Sequence, residues 1–286
     1  MRTPAPYMIN RYTVIGQPIA HSLSPQIHEL FGELTQRRIR YTRTEATPDN
    51  FESTVRRWQA DEGRGCNVTL PFKAQAANVC DRLSRRAERA GSVNTVHMHK
   101  DGSLIGHSTD GSGLLADLEK NLRCTLQGKR VLLLGAGGAA RAVAEPLLGA
   151  RPALLQISNR TAARAEALAE AMADVGPATG GGHDVLDAAS PFDIVINATS
   201  ASLAGALPEL PETLLADGAL AYDMMYAPTD TVFMSWARAR GARVADGFGM
   251  LVEQAADAFE IWEGVRPKTR MAWPRLQALR AGCRDD

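Results

Sequence analysis

The chain has 286 residues, 45% of them hydrophobic and 22% charged, with 32 Lys and Arg against 32 Asp and Glu. It is long enough for two packed cores, and its formal charge of zero excludes a broad nucleic-acid or anionic-membrane surface. No apolar run reaches membrane-span length and residues 1–20 lack a signal peptide's apolar core, so the cytosol is the expected compartment.

Arg11–Gly16 reads as a first strand ending on a glycine. The loop Gln17–Pro25 leads into a helix through about Arg38, with Ile27, Leu30, Phe31 and Leu34 as its apolar stripe. Ser24 before Pro25 reads as N-cap and first turn, with Ser22 in the loop ahead of it. Two hydroxyls beside exposed N–H groups would also suit a substrate carboxylate, although spacing alone favours the cap. Tyr41–Ala46 alternates as a second strand, and Asp49–Ala60 reads as a helix. Gly65–Lys73 is a short strand running into a helix begun by a proline. Lys73 falls in that helix's first turn, where the dipole disfavours a cation, just after polar Asn67 and Thr69. Ligands of open α/β sheets bind at the carboxyl ends of strands, which lifts Lys73 above an ordinary surface lysine.

Gly91–Val96 and Ser103–Gly106 suggest two strands about an Asp101-Gly102 turn. His97 and His99 share a strand face, but no Cys, Asp or Glu cluster joins them, so no metal site is expected. Cys66, Cys80, Cys124 and Cys283 are irregularly spaced and read as reduced structural thiols. His107–Gly111 leads into a helix over Leu114–Leu122. Asp110 reads either as its cap or, with glycines around it, as a residue that a substrate can approach.

The most informative stretch is Arg130–Arg141, an apolar strand, a turn on glycines and an alanine-rich helix. Gly135 suits the tight turn, Gly137 the approach of a pyrophosphate, and Ala140 close helix–strand packing, so the order points to a dinucleotide. The next strand, Ala153–Ser158, ends in Asn159-Arg160-Thr161, with Arg164 a helical turn on. A carboxylate there would suit NAD; arginine instead binds a 2′-phosphate, which points to NADP. Ala165–Ala173 reads as a helix and Gly176–His183 as a glycine-rich linker. Asp193–Asn197, Leu220–Tyr226 and Arg243–Ala245 read as strands, and Thr231–Arg240, Leu251–Trp262 and Thr269–Leu279 as helices. Alternation of strand and helix through this half predicts a parallel sheet.

Taken in order, the blocks Gly16–His28, Gly65–Lys73, Gly91–Thr95, Gly106–Gly113, Gly135–Arg141 with Asn159–Thr161, Asn197–Ser200 with Asp223–Pro228, and Asp246–Gly264 closely resemble the shikimate dehydrogenase family. The resemblance spans nearly the whole chain; Asn67–Lys73 and Asp246–Ala256 are its most specific parts. It implies an α/β protein of two α/β domains. One, residues 1–109 with 247–286, would bind substrate; the other, residues 110–246, would be a Rossmann-type NADP-binding domain, with the C-terminal helices returning to the first. It implies NADPH-dependent reduction of 3-dehydroshikimate to shikimate in a cleft between the domains, by a monomer or homodimer. Ser22 and Ser24 would hold the substrate carboxylate. Asn67, Thr69, Lys73, Asn94, Asp110 and Gln254 would surround the ring, with Tyr226 nearby, and Lys73 with Asp110 would be catalytic. Gly135, Ala136, Gly137, Gly138, Ala139, Asn159, Arg160, Thr161, Arg164, Thr199, Met224 and Gly247 would contact the cofactor.

Three residues depart from the family pattern: Ser108 for the usual Asn, Ser202 for a frequent glycine, and Arg85 for a frequent acid. They leave room for a paralogue acting on quinate or another polyol acid. A non-catalytic NADP-binding sensor would be expected to lack Lys73 or Asp110, and both are present.

Overall fold

The computed structural model describes residues 9–186, 190–199, 201, 205–227 and 229–282. Ser200, Ser202, Pro228 and Cys283 lie outside the described residues. The chain forms two compact units, residues 1–109 with 254–286, and residues 110–253.

The first unit holds β1 (Asn10–Gly16), β2 (Ile39–Glu45), β3 (Gly65–Val68), β4 (Arg82–Leu83), β5 (Thr95–Met98) and β6 (Leu104–His107) in one sheet, ordered β2-β1-β3-β5-β6-β4. β1 pairs in parallel with β2 and β3, whereas β5 runs antiparallel to both neighbours, forming the hairpin expected about Asp101-Gly102. The helices are α1 (Ser24–Thr35), α2 (Phe51–Ala60), α3 (Lys73–Val79) and α4 (Arg85–Ala90). Alternation along β1 divides the core. Ile15 joins Phe51, Val55, Cys66 and Phe72 on one face, while Tyr12, Val14 and Tyr41 pack on the other. There Tyr12 stacks on Trp262 at 4.5 Å, and His28 on Tyr41 at 4.4 Å.

Several local readings change. Ser24 is the first residue of α1 rather than its cap; Leu23 holds the cap position and offers no side-chain bond. The helix stops at Thr35 because Gln36 turns left-handed, short of Arg38. Gly91–Asn94 lies outside the strand, because Gly91 ends α4 with φ 57° and the chain must turn before pairing. β4 and α4 escaped notice, being a two-residue strand and an arginine-rich helix of six residues.

The second unit carries β7 (Arg130–Leu134), β8 (Leu154–Ser158), β9 (Ala178–Gly181), β10 (Phe192–Asn197), β11 (Leu215–Asp223) and β12 (Arg243–Asp246) in the order β12-β11-β10-β7-β8-β9. All pairings are parallel, and the order is that of the dinucleotide-binding Rossmann sheet. Helices α5 (Asp110–Ala116), α6 (Gly138–Gly149), α7 (Ala162–Glu170) and α8 (Val232–Arg238) belong to it, and the division between units falls inside α9 (Phe248–Glu263). A last helix, α10, spans Thr269–Gly282. β7 is central, so Val131 and Leu133 enter one core and Leu132 and Leu134 the other, all fully buried. Each such side chain contributes about 1.5–3 kcal/mol of burial.

Gly176–His183 is not a linker: Ala178–Gly181 is the edge strand β9. A Cβ on Gly180 would run into the backbone of Ala165, so glycine there lets α7 lie directly on the strand. The helix expected over Leu114–Leu122 begins at Asp110 and opens into a π turn over Asp117–Asn121. Buried Asp117 accepts from Tyr222 at 2.7 Å and from Asn121 at 2.9 Å in that turn.

Candidate active site

The carboxyl ends of β1 and β3 meet at a glycine. A Cβ on Gly16 would come within 2.5 Å of Thr69 Cγ2, and its absence lets the following loops join. Thr69 N–H donates to the Ile15 carbonyl, and Gln17 N–H to that of Leu70. Half-buried Lys73 starts α3 itself, and its carbonyl accepts from Val93 N–H.

From this edge a chain of polar side chains crosses the first unit. Ser22 Oγ donates to Ser24 Oγ at 3.2 Å and accepts from Ser24 N–H. The Ser24 hydroxyl is a hydrogen-bond partner of Tyr41, whose phenol donates to Asn67 Oδ1 at 2.7 Å. The Asn67 amide donates to the Asn94 carbonyl and to Thr95 Oγ1. Asn94 in turn accepts from Thr109 N–H at 2.8 Å and donates to Thr109 Oγ1 and Gln254 Oε1. Ser22, Ser24, Asn67, Asn94 and Gln254 thus belong to one network, and Tyr41, Thr95 and Thr109 are members that sequence reasoning missed. Tyr41 sits on a strand that reads as ordinary amphipathic alternation; nothing local marks its hydroxyl. Burial holds its phenol far above the usual range, so it is a neutral donor. His28, one helical turn beyond Ser24, lies in the aromatic stack beneath. Burial pushes its pKa down to about 3, and Asn67 offsets little of that.

Two departures show contrasting settings. Ser108 is buried and its hydroxyl finds no partner among the described residues, whereas Arg85 is exposed at the start of α4.

In the second unit Asp110 opens α5 and is 5% exposed. The glycine after it serves packing: a Cβ on Gly111 would strike the Ala142 carbonyl and Pro146, so α5 rests closely on α6. Gly135 turns at φ 105° and its N–H donates to the Ser158 carbonyl at 2.7 Å. Gly137 stands at the cap of α6, no side chain caps that helix, and a Cβ on Gly137 or Gly138 would meet open space. Ala136 is buried and Ala139 half-buried in the same turn. Backbone and helix dipole therefore fit an approaching pyrophosphate. Beside Gly135, Thr199 donates to Asn197 Oδ1 at 2.7 Å. Across the sheet, Met224 N–H donates to the Asn197 carbonyl, and Gly247 lies so close to the Met224 carbonyl that only glycine fits. Half-buried Tyr226 faces Phe248, ring centroids 6.3 Å apart.

At the end of β8, Asn159 donates to the Thr161 carbonyl, and Thr161 occupies the cap position of α7. Arg160 and Arg164 are exposed, and neither has an ion-pair partner among the described residues. With no carboxylate at that strand end, the donor set fits a phosphorylated ribose.

Known families bear directly on this arrangement. Residues 14–96 match the shikimate dehydrogenase substrate binding domain, residues 117–210 the shikimate / quinate 5-dehydrogenase domain, and residues 247–270 the shikimate 5′-dehydrogenase C-terminal domain. A shikimate dehydrogenase (NADP(+)) from Cupriavidus taiwanensis is 50% identical over 97% of this chain and 96% of its own. The chain belongs to the shikimate dehydrogenase family. Among solved structures, an Ael1 enzyme from Pseudomonas putida is 44% identical, with a TM-score of 0.88 over 93% of this chain and 98% of its own. The shikimate 5-dehydrogenase of Thermus thermophilus, solved with NADP(H) and shikimate, is 34% identical, with a TM-score of 0.83 over 94% and 99%. This family member is accordingly an NADP-dependent oxidoreductase of two α/β domains, one of them Rossmann-type. No helix among the described residues is long and apolar enough to cross a membrane.

Proposed function

We propose that this chain catalyses the reversible NADPH-dependent reduction of 3-dehydroshikimate to shikimate, with Lys73 as general acid in reduction and general base in oxidation. The observation that carries the reading is the hydrogen-bonded run from Ser22 to Gln254, which brings hydroxyl and amide groups from the α1 loop, β2, β3, β5 and α9 into one network, as recognition of a polyhydroxy acid requires. Ser22 and Ser24 hold the carboxylate, charge-assisted by an anion accepting from two hydroxyls. Thr69, Asn94 and Gln254 take ring oxygens, while Asn67 and Tyr41 brace them.

Bound NADPH supplies the hydride. The negative charge that develops on the carbonyl oxygen is stabilised by the Lys73 ammonium, which then gives up a proton to it. Asp110 accepts a hydrogen bond from the same hydroxyl once formed and holds the substrate's orientation. Tyr226 borders the ring. The glycines Gly135, Gly137 and Gly138, with Ala136 and Ala139, seat the pyrophosphate; Asn159, Arg160, Thr161 and Arg164 take the phosphorylated ribose; Thr199, Met224 and Gly247 border the nicotinamide side. The same reading makes the enzyme cytoplasmic, and a monomer or a homodimer.

A quinate-oxidising role is the second reading, favoured by the matched domain's shared shikimate / quinate description and by the unusual Ser108. Steady-state oxidation of both acids with NADP separates the two. Higher kcat/KM for shikimate is expected; a clear preference for quinate selects the second reading, and turnover of neither overturns both.

A further inference from the structure

Beyond Ser158, two chain segments leave the sheet together. Ser158 is registered with Gly181, and Asn159 N–H donates to the Gly181 carbonyl at 3.1 Å. Arg160 and His183 therefore stand at the same offset past paired residues of neighbouring parallel strands. The two segments run side by side: a Cβ on Gly182 would be in ordinary contact with that of Ala162 at the start of α7, at 3.7 Å, and would strike Asp184 Oδ1 of its own turn.

His183 is also held in a defined state. Fully buried Ser158 donates its one hydroxyl proton to the Gly182 carbonyl at 3.0 Å. With the serine proton on that carbonyl, the 2.9 Å contact with His183 Nδ1 is satisfied by the tautomer whose Nδ1–H donates to Oγ. Nε2 is left as the nitrogen that gains or loses a proton. The ring is half-buried, and this burial lowers its pKa below 6.5. The charged group that acts on it is Asp184 on its own turn, which pulls that pKa up; exposed Arg160 and Arg164 belong to the loop and helix that follow the neighbouring strand β8.

We infer that His183 is a further specificity-determining residue for the cofactor, its imidazolium adding to Arg160 and Arg164 in recognising the ribose phosphate. The inference rests on the reading that Asn159–Arg164 takes that phosphate. Neutral His183 leaves two guanidinium groups undisturbed when the site is empty; a dianionic phosphate ester favours the charged ring, so binding takes up a proton. By linkage, NADP binding tightens as pH falls towards 6, below which the phosphate itself begins to protonate. NAD, lacking the phosphate, gains nothing. A shift of one pH unit in the ring's titration on binding corresponds to as much as about tenfold in affinity.

The test is calorimetric titration of NADP and NAD into wild-type protein, His183→Gln and Arg160→Ala between pH 6 and 8.5, in buffers of differing protonation enthalpy. Glutamine keeps a donor for Ser158 but cannot charge. Wild-type protein should show proton uptake with NADP alone; His183→Gln should lose it and bind NADP severalfold more weakly at pH 6, with NAD unaffected. Proton uptake and pH dependence unchanged in His183→Gln, while Arg160→Ala loses NADP preference, would overturn the role of His183 alone. NADP affinity unchanged in Arg160→Ala would overturn the placement of the phosphate, and the inference with it.

Discussion

Tyr41 Oη donates to Asn67 Oδ1 at 2.7 Å, with the phenol 3% and the amide 6% exposed. This buried bond joins the second strand to the third and stands between the two serines of the α1 loop and the Asn94–Gln254 end of the network. Tyr41→Phe leaves the Asn67 oxygen buried without its donor, at a cost of about 1–3 kcal/mol. We expect that loss in urea denaturation, together with a raised KM for shikimate and a smaller change in kcat. Unchanged stability and KM would remove Tyr41 from the site.

His28 makes stability fall in acid. Its ring is fully buried and neutral, with a pKa near 3 against the 6.5 of an unfolded chain, so the unfolded state binds the extra proton between those values. Its contribution is complete above about pH 6.5 and declines on the way to 3, by as much as about 1.4 kcal/mol per pH unit. His28→Phe keeps the stack on Tyr41 and should flatten the melting temperature between pH 6.5 and 4. A variant as acid-sensitive as wild type would place the labile group elsewhere.

Lys73→Ala should lower kcat roughly a hundred- to ten-thousandfold, the range of general acid–base catalysis, with little change in KM. Lys73→Arg keeps charge but binds its proton too tightly to exchange it, and should not restore the rate. Near-normal kcat in either variant would move the proton transfer to another group.

Gly111→Ala tests the packing that carries Asp110. The new methyl would press on the Ala142 carbonyl and on Pro146, forcing α5 off α6. Overpacking of this kind costs about 1–3 kcal/mol. A fall in kcat exceeding the fall in folded fraction is expected, because Asp110 is the first residue of the displaced helix.

Ser108→Ala removes a buried hydroxyl that has no partner among the described residues. Its stability should equal or slightly exceed that of wild type, since no hydrogen bond is lost and a desolvated polar group disappears. A loss above about 1 kcal/mol in chemical denaturation would reveal a bond for Ser108 in solution.

What the sequence determined by itself was whatever depends on neighbours along the chain. Val131–Leu134 is apolar on both faces because it is central, and Gly135 must turn where the strand ends, so strand, turn and helix were legible together. The absence of an acid after Ser158 was likewise a local fact with a chemical meaning. The Gly176–His183 stretch misled because glycines weaken a strand's own propensity; parallel pairing with β8 makes β9 a strand, and the backbone of Ala165, which leaves no room for a Cβ, is why glycine stands in it. Ser24 misled in the opposite sense, since a serine before a proline suits a cap, while the fold sets Leu23 there and turns the hydroxyl towards Tyr41. Tyr41, Thr95 and Thr109 lie far from Ser24 and Gln254 in sequence, and their parts in the network exist only because the parallel pairing of β1 with β2 and β3, the antiparallel pairing of β5 with β3 and β6, and α9 bring their side chains within hydrogen-bond reach. Hydrogen bonds between distant residues leave no periodicity to read, which is why the motif residues could be named in advance and the groups that hold them could not.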